Sequence, residues 1–418
     1  MQPIKASIIT IGDELLIGQV IDTNSAWMAQ ELNKAGIFVK RRVAVGDGGD
    51  DIWTALNEES KHADIILITG GLGPTSDDIT KPLLCKYFNG KMIVNEDALQ
   101  NVKYLFQKVF KRPMIEVNLK QAEVPDVCTV IQNKRGTAPG MWFNKDNKIF
   151  VSMPGVPFEM KGMMIDEVIP KLTQQFTLPF IVHKTLLTAG VGESFLAEQL
   201  KDFEALLPKD IKLAYLPSYG MVRLRLTSSG IDKMEIENKM DSYFANLQGL
   251  VKEYIVTNED EPMAKVLGKL LVQQSKTVAT AESCTGGYIA HLITTLPGSS
   301  AFYKGGVVSY DNEVKENVLK VSSATLKNFG AVSEETVKEM LSGVLNKIGS
   351  DYGVAVSGIM GPDGGTKDKP VGTVWIAVGS PQNSTTQKLQ FRFDRIRNIE
   401  LSSLNALNIL RKFILSER

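Results

Sequence analysis

Two periodicities alternate along the first third of the chain. In KASIITIG, Lys5 to Gly12, apolar and β-branched residues run almost unbroken, as in a strand buried on both faces. SAWMAQELNKAG then places apolar residues every three or four positions, with Asn24 or Ser25 set to cap a helix and Gly36 to stop it. IFVKRRVAV, DDIWTALNEESKHA and DIILITGG continue as strand, helix and strand, and KIFVSMPGVPFEMKGMM adds a strand, a turn and a helix ending near Pro170. Apolar strands between amphipathic helices predict a parallel sheet covered on both faces.

A second stretch, from about Pro179 to Val256, reads strand, helix, two strands, helix, strand, a small α/β sandwich. TNEDEP, Thr257 to Pro262, is acidic and ends in proline, as a linker does. Beyond it come helix MAKVLGKLLVQQ, strand KTVATAE, helix GYIAHLITTL and strand GGVVSYD. Two helical stretches, strands DYGVAVSG, VGTVWIAVGS and QKLQFRFD, and a long closing helix predict a separate α/β domain with a mixed sheet. No internal repeat and no low-complexity tract interrupts this order.

Composition narrows the functional classes. The 418 residues are 43% hydrophobic and carry 47 basic and 47 acidic side chains. A zero formal balance argues against a protein built mainly to hold nucleic acid or an acidic membrane. Cys85, Cys128 and Cys284 lie too far apart for a disulfide framework or a paired metal spacing, and three histidines make a histidine-rich metal centre unexpected. The start of the chain lacks a signal-peptide layout, and no run approaches the ~18 apolar residues of a membrane helix. A soluble cytoplasmic protein is expected.

The chemistry concentrates at strand ends. SCTGG joins strand KTVATAE to helix GYIAHLITTL, so Ser283 sits where α/β sheets gather ligands. Gly286 and Gly287 permit close backbone approach, and the N–H groups from Cys284 through Thr285 to Gly287 are candidates for holding an oxyanion or anion. Cys284 is the rival nucleophile, but it has no histidine base nearby, since His291 falls two helical turns on; it reads as a packed residue. A serine without histidine can be activated by a neutral lysine. Lys315, five residues after Tyr310, is placed for that role, although its spacing equally suits a solvated helix lysine. A third loop, SGIMGPDGGTKDKPVGT, brings Ser357, Gly358, Gly361, Asp363, Gly364 and Gly365 after a buried strand, as a ligand loop or a plain glycine-rich hairpin would.

In the first domain, TGGLGPTSDD follows a buried strand. Gly70, Gly71 and Gly73 free the backbone next to Pro74, and Thr75 or Ser76 can cap the next helix. Asp77 and Asp78 either answer the helix dipole or hold a cation beside a phosphate. Asp13 and Glu14 follow the first strand, and Gly155 and Glu159 follow a later one, so parallel topology brings three loops to one sheet edge. The glycine turn is neither a P-loop nor GxGxxG.

AESCTGG, GGVVSYDNEVK, GAVSEETVKEM and SGIMGPDGGTKDKPVGTVWIA together resemble the nicotinamide-nucleotide amidase domain of CinA-type proteins. GDELLIGQVIDTNS, TGGLGPTSDD, NKRGTAPG and MPGVPFEM resemble the MoaB/MogA-like domain at the start of the same proteins, and the middle stretch resembles their KH-like module. The resemblance implies three α/β domains: a MoaB/MogA-like domain over residues 1–174, a KH-like linker or dimerisation domain over 175–257, and an amidase domain over 258–418. It implies hydrolysis of nicotinamide mononucleotide to nicotinate mononucleotide and ammonia, with Ser283 as nucleophile helped by Tyr310 and Lys315 and without a cofactor. For the first domain it implies a pyrophosphatase splitting ADP-ribose into AMP and ribose 5-phosphate. There Asp13, Asp78 and Asp77 would hold a divalent ion (magnesium, manganese or cobalt), with potassium as an optional second cation, and Asn24 would join the substrate contacts. A homodimer is expected, and the middle stretch lacks the basic GxxG loop by which KH domains hold RNA. Two other readings stay open: an amidase whose first domain only binds a nucleotide or pterin, and a competence or DNA-damage accessory protein that works by binding partners.

Overall fold

The computed structural model describes residues 3–75, 78–218 and 220–417. The chain forms two compact units, Met1–Val182 with Ser228–Glu237, and His183–Thr227 with Asn238–Arg418. Among the described residues no helix is long and apolar enough to cross a membrane.

The first unit is built on a six-stranded sheet. Its spatial order is Phe38–Val45, Lys5–Ile11, Ile65–Thr69, Lys148–Met153, Gly140–Lys145, Thr129–Ile131. The first four strands run parallel. The unbroken apolar runs are explained by two cores: Ile65 and Leu67 face one helical layer, Ile66 and Ile68 the other. The sheet is not parallel throughout, however, because the last two strands pair antiparallel. Asp146 and Asn147 both take positive φ (51° and 59°), which closes a two-residue hairpin of the type that matches strand twist. The first long helix, Thr23–Lys34, is capped by Asp22, whose carboxylate accepts from the Ser25 amide at 2.9 Å, not by Asn24 or Ser25.

A four-stranded sheet, most of it in the second unit, orders as Lys212–Ser218, Met221–Gly230, Phe180–Ala189, Ile255–Thr257. A five-stranded sheet orders as Tyr303–Val308, Val278–Glu282, Tyr352–Gly358, Thr373–Gly379, Ser384–Gln390, with the first three strands parallel and the last two antiparallel. The mixed sheet is as the pattern predicts. Three helices, not two, separate Val308 from Tyr352: Asn312–Leu319, Ser323–Phe329 and Glu334–Ile348. Gly330 and Ser333 divide the last two, the Ser333 hydroxyl accepting from the Thr336 amide at 3.2 Å. One face of the large sheet presents alanines (Ala279, Ala281, Ala355, Ala377) to Val337, Met340, Leu341, Val344 and Leu345 of Glu334–Ile348. Small side chains on the strands let that helix seat closely. The other face joins Val354, Ile376 and the long closing helix in one core with Leu187, Ala189, Met221 and Val256 of the four-stranded sheet.

Candidate active site

The strand Val278–Glu282 ends on Ser283, whose amide donates to the Val356 carbonyl at 3.0 Å. This bond continues the sheet one residue past the strand and fixes the direction of the serine. Ser283 lines a cavity of about 190 Å³ with Cys284, Tyr310, Asn312, Lys315, Ser357, Gly358, Met360 and Arg395. A more open polar cleft of about 780 Å³ lies at the other end of the same strands. Its lysines are engaged, Lys276 with Asp351 at 2.9 Å and Lys304 with the Gly349 carbonyl at 2.7 Å, and we place the chemistry in the smaller cavity.

Lys315 is 1% exposed and shares the inner face of helix Asn312–Leu319 with Leu319, four residues on. Asp311 caps that helix, accepting from the Glu313 amide at 2.8 Å. The lysine amine donates to the carbonyls of Ser309 at 2.7 Å and Tyr310 at 3.2 Å, and no hydrogen bond joins it to Ser283. Burial pushes its pKa below the ordinary lysine value, with Asp311 and Cys284 pulling weakly the other way. The solvated-lysine reading is thereby overturned. A neutral amine has two N–H donors and one lone pair. In that form the two carbonyls would take the donors and the lone pair would be left over.

Cys284 is buried within the apolar core, and burial pushes its thiol up to about 12, which suits packing and not attack. His291 stacks on Tyr288 at 5.9 Å and serves no thiol. Tyr310 is exposed, and its hydroxyl accepts from Arg395 at 2.9 Å, while the other guanidinium arm donates to the Gly361 carbonyl at 2.7 Å. Ser357 spends its hydroxyl on the Ala331 carbonyl at 2.6 Å.

Several expected contacts are absent. Thr285, Gly286 and Gly287 do not line the cavity: the Gly286 amide returns to the Ser283 carbonyl, and Thr285 and Gly287 donate to Glu282. Of the turn residues that follow Ser283, Cys284 alone lines the cavity among the described residues. Asp363, Gly364 and Gly365 are exposed and stand outside the cavity wall. Sequence reasoning missed Glu282, Arg395 and Asn312. Glu282 had a signal, since a carboxylate closing an apolar strand must find partners. Arg395, just inside the closing helix, had none.

In the first unit a cavity of about 430 Å³ is lined by Gly70, Gly71, Gly73, Pro74, Asp78, Gly155 and Glu159, together with Glu14 and Asp47. The three loops do converge. Asp13 is not on this wall: its amide donates to Asp47 at 3.1 Å and its carboxylate accepts from the Asp47 amide at 3.2 Å, which ties two loops together. Thr75 caps no helix, because the next one starts at Thr80; its amide donates to the Asp78 carboxylate at 3.0 Å. Ser76 and Asp77 lie outside the described residues. Asn24 lines a smaller adjoining cavity and donates to the Gly155 carbonyl at 2.7 Å. Burial raises the Glu159 carboxyl, partly offset by the Asn133 amide that donates to it at 2.6 Å. Lys81, also missed, is buried with its pKa lowered to about 8 and donates to the Gln121 carbonyl at 2.8 Å. Among the described residues no three carboxylate, imidazole or thiol groups come together as a metal-binding set.

Residues 7–174 match the family model "Probable molybdopterin binding domain", 183–257 match "Damage-inducible protein CinA KH domain", and 260–414 match "CinA C-terminal domain". A CinA-like protein of Cytophaga hutchinsonii is 46% identical, over 98% of this chain and 98% of its own. One from Flavobacterium psychrophilum is 47% identical over 98% and 99%. A crystal structure of a CinA superfamily protein from Klebsiella pneumoniae, 34% identical, covers 37% of this chain and 99% of its own with a TM-score of 0.36. Identity at this level across nearly the whole length, with all three domain models in the same order, means that the chain belongs to the CinA family.

Proposed function

We propose that the second unit hydrolyses the carboxamide of nicotinamide mononucleotide, giving nicotinate mononucleotide and ammonia. The observation that carries this reading is Lys315: a buried amine without a carboxylate bonded to it, sharing a small cavity with Ser283. Its lone pair takes the proton from the Ser283 hydroxyl as the oxygen bonds to the carboxamide carbon. The Cys284 amide, on the cavity wall, receives the developing oxyanion. Lys315 then passes the proton to the departing nitrogen, the C–N bond breaks and ammonia leaves. Water, deprotonated by the same amine, attacks the acyl-serine ester and frees the acid. Arg395, which also lines the cavity, suits the substrate phosphate, and the Tyr310 hydroxyl accepts from its guanidinium.

Replacing Ser283 with alanine is expected to abolish ammonia release while the folded protein stays intact by circular dichroism. Normal turnover in that variant would remove Ser283 from the role.

For the first unit we propose a nucleotide-diphosphate hydrolase acting on ADP-ribose. The support is the meeting of three loops around one cavity that carries Glu14, Asp47, Asp78 and Glu159. The protein's own carboxylates form no three-ligand set among the described residues, so a divalent ion would be held only together with the substrate's phosphate oxygens, and it would then supply charge neutralisation and an activated water. Release of AMP from ADP-ribose only in the presence of a divalent ion is the expected result. Binding without turnover would reduce this unit to a nucleotide-holding module.

A further inference from the structure

We infer that Glu282 is a positioning residue for the Ser283 turn, its carboxylate taking up the Ile289 and Ala290 amides in the first turn of helix Tyr288–Thr294; this rests on the amidase reading above. Glu282 is fully buried at the end of its strand. One carboxylate oxygen accepts from the Thr285 hydroxyl at 2.8 Å, the Gly287 amide at 3.0 Å and the Ile289 amide at 3.0 Å. The other accepts from the Ala290 amide at 2.8 Å. A buried carboxylate survives only with this kind of full set of donors, and the orphan amides of a helix start need acceptors. Each requirement answers the other. The left-handed φ of Gly286 (61°) and Gly287 (96°) turns the chain back over the carboxylate, so the turn is wound around its own preceding residue.

Two consequences bear on the reaction. The helix start is filled by the chain's own anion, so a substrate phosphate finds no N–H groups there and is left to Arg395. Further, Glu282 reaches the base as well. Its carbonyl accepts from the Ser309 amide at 2.7 Å, and the Ser309 carbonyl accepts from Lys315 at 2.7 Å. The side chain of Glu282 therefore holds the nucleophile's turn, while its main chain is one peptide away from the anchor of the base. Displacement of the turn by a fraction of an ångström would misalign Ser283 against Lys315 without altering the substrate's outer contacts.

The test compares wild type, Glu282→Gln and Thr285→Val, each as the full chain. Glutamine keeps the shape but sets an NH₂ where an oxygen was accepting, and valine removes a single donor. Ammonia release from nicotinamide mononucleotide and hydrogen exchange of the Gly287, Ile289 and Ala290 amides are measured on each. Glu282→Gln is expected to lose about 10- to 100-fold in kcat with KM changed less than about two-fold, and to exchange those amides faster. Thr285→Val should show the same pattern more weakly, and it decides the matter if Glu282→Gln does not fold. Faster exchange with wild-type kcat would make Glu282 a mere helix cap and overturn the inference, as would unchanged exchange. A wild type that releases no ammonia would overturn the amidase reading itself, and the kinetic role with it. The exchange measurement would still report whether the carboxylate holds the turn, so the two failures are read apart.

Discussion

An ammonium ion moved from water into a protein interior loses several kcal/mol of hydration unless an anion meets it. Lys315 meets only carbonyls, and its pKa falls below 10.5 for that reason. The active form of a general base is the deprotonated one. Ammonia release is therefore expected to rise with pH through a single ionisation and then level off, with its midpoint below 10.5. A pH–rate profile of kcat/KM checks this. Lys315→Arg cannot deprotonate in any accessible range, so it should lose about three orders of magnitude and show no such limb. Cys284→Ala removes a thiol that burial has already disarmed, and turnover within about three-fold of wild type is expected in the same assay. Ser283 was legible in the sequence because a strand-to-helix turn with two glycines has a known place in α/β sheets. The burial of Lys315 was not, since it depends on which face of helix Asn312–Leu319 meets the sheet, and spacing alone does not record that. Asp22 was likewise hidden behind Asn24 and Ser25, residues of similar capping ability two and three positions on.

At the scale of elements, the helix that carries Lys315 is held by contact with its neighbour. A Cβ on Gly343 would lie 1.9 Å from the Leu319 carbonyl oxygen, so helix Glu334–Ile348 meets helix Asn312–Leu319 backbone to side-chain-free backbone. Gly343→Ala must push the lysine's helix outward. It is expected to cost about 1–3 kcal/mol in urea unfolding and to lower kcat, although it touches no substrate. A variant of wild-type stability and rate would mean that the two helices part freely. The parallel core strands were legible from their unbroken apolar runs. The antiparallel pair Gly140–Lys145 and Lys148–Met153 was not, because its turn is Asp146–Asn147, where the glycine that usually marks a tight hairpin is missing. The strand-to-helix loops were placed at the right sheet edge by topology. Their individual hydrogen bonds, such as Asp13 to Asp47, follow from loop conformations that no periodicity encodes.

Across the whole molecule, each candidate cavity lies inside a single compact unit. A chelator should abolish AMP release from ADP-ribose and spare ammonia release from nicotinamide mononucleotide, measured on one preparation. Loss of both together would mean that a metal supports the second unit too. Three family models match successive stretches of the chain. The physical divisions are fewer. Leu187, Ala189, Met221 and Val256 of the middle sheet share one apolar core with Met263, Leu267, Val354 and Leu407. Melting either sheet would strip the other of its cover. Scanning calorimetry should therefore resolve two heat-absorption peaks from a chain of three evolutionary modules, and the middle one would have no denaturation temperature of its own.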